Sequence, residues 1–136
     1  MLVQELLKRK MRFIVKKITQ ELYLYLANSA KTILQAGFST IIDATFLKIE
    51  QRDLFRQLAI ECNAKFVILD VMASYEELCK RISQRQNDVS DATIEVLQQQ
   101  LKVAQSLSVE EQNYVMTLDT QSDSGFAQLI SKLHCC

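Results

Sequence analysis

Three aspartates follow apolar stretches of the kind that form buried strands. Asp43 ends the segment Ser39–Asp43, Asp70 comes near the end of "KFVILDV", and Asp119 closes "NYVMTLD". Ligands of parallel α/β sheets bind beyond the carboxyl ends of the strands. The pattern therefore predicts three carboxylates at one edge of a sheet, where Asp43 could form one half of a phosphate-handling site. The alternative is that each acid only marks the exit of a strand into water.

Helices are predicted between these strands, because apolar residues recur at steps of three and four. The first 17 residues read as a basic amphipathic helix, and a second helix covers roughly Thr19–Ala36, ending at Gly37 in the position of a left-handed cap. Two S-x-x-E pairs, at Ser74 and Ser108, are typical of helix starts. Helices alternating with strands predict an α/β fold, a parallel sheet of about three strands flanked by helices.

Composition limits the classes of function. The chain has 136 residues, of which 49% are hydrophobic, and this suits a single domain with a buried core. Its formal net charge is zero, so there is no global electrostatic reason to expect nucleic acid or a membrane as partner. The chain has one histidine and no C-x-x-C pattern, so a zinc site and a disulfide framework are not expected. We expect a cytoplasmic setting.

Two segments carry a family resemblance. "LQAGFSTIIDATFLKIEQRDLFRQLA" (34–59) has D-A-T-F-L after its apolar stretch, and "FVILDVMASYEELCKRISQRQNDVSDATIEVLQQQ" (66–100) has R-x-x-x-R, D-x-S-D-A and V-L-x-x-Q. This combination resembles P-loop kinase-like, AAA-type ATP-binding domains related to gluconate kinase and polynucleotide kinase. Such domains occur in bacterial two-domain proteins beside an aminoglycoside-phosphotransferase-like domain. The resemblance implies a P-loop NTPase fold, an ATP-dependent phosphotransferase activity, and ATP and Mg²⁺ as cofactors.

The resemblance also implies roles for individual residues. Asp43 would be catalytic and would hold the Mg²⁺ that accompanies the nucleotide. Arg81 and Arg85 would neutralise the transferring phosphoryl group from a lid-like helical region at 74–112. Three further residues would bind the cofactor: Thr45, Arg52 and Gln100.

Each of these residues also has a plainer interpretation. Thr45 can cap a turn, and Arg52 can form a salt bridge on an exposed helix face. Arg81 stands four residues after Glu77, which is the spacing of an ordinary helix-stabilising pair. Gln100 ends a run of three glutamines, which is typical of a solvent-facing helix surface.

The chain departs from the family at the phosphate-binding loop. Such loops have the pattern G-x-x-x-x-G-K-[ST], whose backbone amides cradle phosphates. This chain has two glycines, Gly37 before "FSTII" and Gly125 before "FAQLI", and neither fits the pattern. The sequence therefore resembles the C-terminal two-thirds of such a domain, truncated so that the first and second family strands are missing. In the family, the loop-bearing strand lies between the strands that match Ser39–Asp43 and Lys65–Val71, so an open seam is expected there.

These observations leave three functional hypotheses. The first is a single partial kinase-like domain over residues 1–136 that is inactive alone, with a chain supplying the phosphate loop as partner and an unidentified small-molecule acceptor. In that case we expect this chain itself to bind no cofactor. The alternative is a non-catalytic interaction module that self-associates through the exposed sheet seam, as a homo-oligomer. The third is an RNA- or anion-binding protein that uses the Lys/Arg cluster, and the neutral overall charge argues against it.

Overall fold

The computed structural model describes residues 2–84, 93–122 and 125–134. Within these ranges the chain forms five α-helices, one short 3₁₀ helix and two strands. The elements are α1 (Leu2–Gln35), α2 (Ile49–Glu61), β1 (Ile68–Met72), α3 (Tyr75–Gln84), α4 (Ile94–Val103), the 3₁₀ helix (Glu111–Tyr114), β2 (Val115–Asp119) and α5 (Gly125–His134). The chain divides into two compact units, the first with residues 1–46 and 50–65, the second with residues 47–49 and 66–136.

The first unit is built on α1 and α2. The two helices predicted before Gly37 are one continuous helix, which buries Tyr23, Ala27 and Ala30 on a single face. The predicted cap is confirmed: Gly37 has a φ of 85°, and its amide donates to the carbonyl of Leu34 at 2.9 Å. A left-handed residue after the last helical turn satisfies carbonyls that the helix leaves without partners.

The expected strand at Ser39–Asp43 is wrong, because this segment has no regular secondary structure. A strand needs backbone hydrogen bonds from a neighbouring strand, and the first unit contains no strand among its described residues. Ile41, in the middle of the segment expected to form a buried strand, is 93% exposed. The apolar character of the segment therefore did not lead to burial.

The second unit contains a small parallel sheet. β1 and β2 pair in a continuous register from Ile68 opposite Val115 to Met72 opposite Asp119. Helix α5 packs on β2, and Leu118 and Leu129 are buried there. The predicted α/β class is confirmed at this level, as helices with a parallel sheet, but two strands are present among the described residues where about three were expected.

The register also corrects the predicted positions of two carboxylates. β1 continues for two residues beyond Asp70, so Asp70 lies in the middle of the strand, opposite Thr117. Asp119 does end β2, but its neighbour across the sheet is Met72. The three aspartates therefore do not end three adjacent strands at one edge.

Candidate functional site

The D-A-T-F-L segment is held at its phenylalanine. Phe46 has a φ of 45°, and its amide donates to the hydroxyl of Tyr23 at 3.1 Å. Its carbonyl accepts a hydrogen bond of 2.9 Å from Nη1 of Arg52. The ring of Phe46 meets the rings of Tyr23 and Phe55 edge to face, both at 5.3 Å between centroids. These contacts stabilise a backbone conformation that non-glycine residues rarely adopt.

Arg52 is therefore a buried residue, so the interpretation that placed it on an exposed helix face is wrong in that respect. Only 7% of Arg52 is exposed, and its guanidinium is directed at the chain's own backbone. A charged group can be buried when its donors have partners. In the described structure Arg52 fixes the end of the D-A-T-F-L segment, and its predicted role in cofactor binding remains a prediction.

Asp43 and Thr45 are exposed, and they precede Phe46 in the D-A-T-F-L segment. Mg²⁺ in phosphate-handling sites is usually held by one or two carboxylates together with substrate phosphates. Asp43 supplies one carboxylate, and no group of three or more metal-binding side chains exists among the described residues. These residues can therefore contribute one ligand to a metal that arrives with a nucleotide.

In the second unit, Arg81 links α3 to the turn that follows β2. Its Nε donates to the carboxylate of Glu77 at 2.8 Å, and its Nη1 donates to the hydroxyl of Thr120 at 2.9 Å. The same hydroxyl donates to the carbonyl of Met72 at 3.0 Å. The pair with Glu77 was the plainer interpretation from sequence and is confirmed. The contact with Thr120 adds a connection to the ends of both strands.

The start of α3 is capped by two different residues. The Ser74 hydroxyl accepts from the amide of Glu77 at 3.3 Å, as a capping box requires. The Ser74 amide donates to the side-chain carbonyl of Gln121 at 2.7 Å, while Glu77 turns toward Arg81. The loop after β2 thus takes the place of the second half of the box.

Two of the predicted site residues line the same cleft. Arg81 and Gln100 both border a cavity of about 220 Å³ between α3 and α4. The remaining lining residues are mainly apolar: Leu78, Ile82, Thr93, Val96 and Leu97. Thr93 caps α4, because its hydroxyl accepts a hydrogen bond from the amide of Val96. A hydrogen bond with the Thr93 side chain and one with the backbone of Glu95 itself lower the pKa of Glu95. Arg85 lies outside the described residues.

The comparisons with known proteins identify the family. A family model described as an AAA domain matches residues 3–107. The chain belongs to the AAA domain family. This match supports a P-loop kinase-like domain, and proteins of this kind generally bind ATP and Mg²⁺. No curated protein and no solved structure matches the chain.

The AAA match contains every predicted site residue but ends before β2. The residues that hold the site candidates in place were missed by the sequence analysis. Tyr23 could have been found, because it precedes Ala27 and Ala30 by four and seven residues on one helix face. Thr120 gives no such signal, because it lies 39 residues from Arg81.

In the part of the chain that the structure describes, no helix is long and apolar enough to cross a membrane.

Proposed function

We propose that this AAA-family chain is an ATP-dependent phosphotransferase-type domain that has no phosphate-binding loop of its own and is inactive alone. The observation that carries the proposal is the position of its two glycines. Gly37 ends α1 in a left-handed conformation. Gly125 opens α5, where an added Cβ would lie 2.7 Å from the carbonyl oxygen of Asp119. Both glycines thus have local structural roles, and neither is followed by a lysine.

The predicted site residues then keep the roles that the family resemblance implies for each of them. Asp43 is the candidate ligand for nucleotide-bound Mg²⁺, and Arg81 and Arg85 are the candidate lid cations. Thr45, Arg52 and Gln100 remain candidates for nucleotide contacts. The acceptor in this proposal is a small molecule that carries a hydroxyl group. A second chain that supplies a phosphate loop would complete the site.

Isothermal titration calorimetry with MgATP tests this proposal. We expect no saturable heat from the unmodified chain, because without a cradle of amides the triphosphate has too few partners. Asp43→Asn and the control Glu76→Gln, an exposed acid on α3, should behave like the unmodified chain. Saturable binding that Asp43→Asn abolishes and Glu76→Gln preserves would refute the proposal, because the chain would then have a complete site.

A second candidate function is a self-associating interaction module, and one observation favours it. Among the described residues β1 pairs with β2 alone, so its other edge carries no strand. Leu69, Val71 and Met72 on β1 are 44%, 58% and 50% exposed. Strand edges with exposed apolar residues tend to pair with other chains.

Sedimentation velocity tests whether the chain self-associates. If the seam of β1 joins two copies, Val71→Lys should convert a dimer to a monomer, because an edge lysine blocks strand pairing. Val109→Lys is the matched control, since Val109 is 89% exposed and lies outside the sheet. A monomeric unmodified chain at all concentrations would exclude this function.

A further inference from the structure

Helix α1 carries a row of exposed apolar side chains that its own unit does not cover. Met11, Val15, Ile18, Leu22 and Tyr25 are 60%, 57%, 59%, 53% and 69% exposed. They follow one another at steps of four, three, four and three residues, which places them on one side of the helix. We call this row the α1 stripe. Exposed apolar side chains that are contiguous usually mark an interaction site.

The α1 stripe faces away from the packed side of the helix. The packed side is formed by Tyr23, Ala27 and Ala30, which are all at most 8% exposed. With 3.6 residues per turn, the two rows are separated by roughly 120° around the helix axis. A flat partner can therefore reach the stripe without disturbing the packing of α1 in its unit.

The charge around the stripe is strongly positive. Between positions 8 and 25 the sequence has a single acid, Glu21, and six basic residues, Lys8, Arg9, Lys10, Arg12, Lys16 and Lys17. Lys10, Lys16 and Lys17 are exposed. Lys17 approaches Glu21 at 3.9 Å, but both side chains remain about two-thirds exposed, so this pair neutralises little. The zero net charge of the whole chain conceals this local excess.

We propose that α1 binds the surface of an anionic lipid bilayer, with the α1 stripe at the boundary between headgroups and acyl chains. Helices with an apolar row and a lysine-rich remainder lie in this plane. Lysine side chains on the remaining faces of the helix can extend their ammonium groups toward the headgroups, because their long methylene stems lie along apolar surface. The stripe is about 21 Å long from Met11 to Tyr25, which suits a helix that lies on the bilayer rather than across it.

A second copy of the chain fits the stripe less well. The row covers two heptads, whereas a coiled coil is indicated by three or four. Pairing of two such helices side by side would also bring two basic segments together, each with six basic residues and a single acid, Glu21, between positions 8 and 25. An anionic surface satisfies both the apolar row and the positive charge. The interaction does not involve the predicted ATP site, so its failure and the failure of the proposed function are separate results.

Vesicle co-sedimentation tests the interaction. The chain should sediment with vesicles of 70% phosphatidylcholine and 30% phosphatidylserine but not with phosphatidylcholine alone, and high salt should weaken binding. Lys16→Gln with Lys17→Gln should reduce the partition coefficient by more than tenfold, since each surface cation contributes about fivefold. Lys80→Gln with Lys102→Gln removes the same charge from other helices and should have little effect. Leu22→Glu should abolish binding, and Leu101→Glu, at the same 53% exposure, should not.

A tryptophan reporter gives an independent reading, because the chain has no tryptophan of its own. Tyr25→Trp places the indole in the α1 stripe, and its emission should shift to the blue with anionic vesicles. Tyr75→Trp, on α3, should show no shift. The proposal is overturned if the chain binds neither type of vesicle, or if the two double lysine variants weaken binding equally. It is also overturned if the chain binds no vesicles and sedimentation shows a dimer that Leu22→Glu dissociates.

Discussion

The guanidinium of Arg81 donates a hydrogen bond of 2.9 Å to the hydroxyl of Thr120, which lies directly after β2. That hydroxyl also donates to the carbonyl of Met72, the last residue of β1. One threonine hydroxyl therefore connects α3 with the ends of both strands. Arg81, which is predicted to neutralise a phosphoryl group, thus donates its hydrogen bonds to acceptors of the chain itself, and Glu77 is a second such acceptor.

Replacing this hydroxyl should weaken the second unit. Thr120→Val keeps the shape of the side chain but removes both hydrogen bonds of its hydroxyl. We expect the free energy of unfolding to fall by about 1–2 kcal/mol, measured by urea denaturation. Thr117→Val, at an exposed position of β2, should change it by less than about 0.5 kcal/mol. Equal losses in the two variants would show that the connection through Thr120 contributes nothing of its own.

Gly125→Ala should destabilise the second unit through a direct clash. The new Cβ would lie 2.7 Å from the carbonyl oxygen of Asp119, and this atom cannot move without shifting β2. We expect a loss of about 1–3 kcal/mol in the free energy of unfolding. Gly37→Asn is the comparison, because a Cβ at Gly37 meets open space and asparagine tolerates the left-handed conformation. A smaller loss for Gly125→Ala than for Gly37→Asn would contradict the interpretation.

Local features of this chain were predictable, because they depend on residues close in sequence. The end of α1 at Gly37 is one example. The capping box of Ser108 and Glu111 is another, with hydrogen bonds of 2.7 and 3.2 Å in the two directions. Strands were less predictable, since a strand requires a partner from a distant part of the chain. Ser39–Asp43 has a strand's composition but no neighbouring strand in its unit.

In the candidate site, too, a contact between residues close in sequence was predictable, whereas contacts that depend on the folded chain were not. The pairing of Arg81 with Glu77 followed from a spacing of four residues. The burial of Arg52 did not follow from sequence, because it depends on Phe46 adopting a positive φ and offering its carbonyl. The position of Asp70 was wrong for a similar reason, since its apolar run predicts a strand but only pairing with β2 extends that strand to Met72.

The anchor at Phe46 should depend on the Tyr23 hydroxyl. Tyr23→Phe retains the ring contacts with Phe46 and Phe55 but leaves the amide of Phe46 without its acceptor. We expect the free energy of unfolding to fall by about 1–2 kcal/mol in urea denaturation. Tyr25→Phe is a matched control on the same helix, because Tyr25 is 69% exposed. If the two variants are equally stable, the hydroxyl of Tyr23 does not hold the segment.

The first unit should lose stability at high pH, because the ion pair between Lys31 on α1 and Glu61 on α2 is lost when Lys31 is deprotonated. A hydrogen bond of 3.0 Å and the charge of Glu61 raise the pKa of Lys31 above its ordinary value. The folded state therefore holds this proton more tightly than the unfolded state. The contribution to stability is complete below the ordinary lysine pKa of about 10.4 and is lost as pH rises through the raised value.

Urea midpoints measured between about pH 9 and pH 12 test this dependence across the ordinary lysine pKa. The difference between the unmodified chain and Lys31→Gln should be present at the lower pH and should shrink as the pH rises. Lys102→Gln provides the matched control, because Lys102 is an exposed lysine on α4 in the second unit. Its difference from the unmodified chain should change little over the same range. A constant difference for Lys31→Gln would mean that the pair does not raise the pKa of Lys31, since a shifted pKa requires a stability that varies with pH.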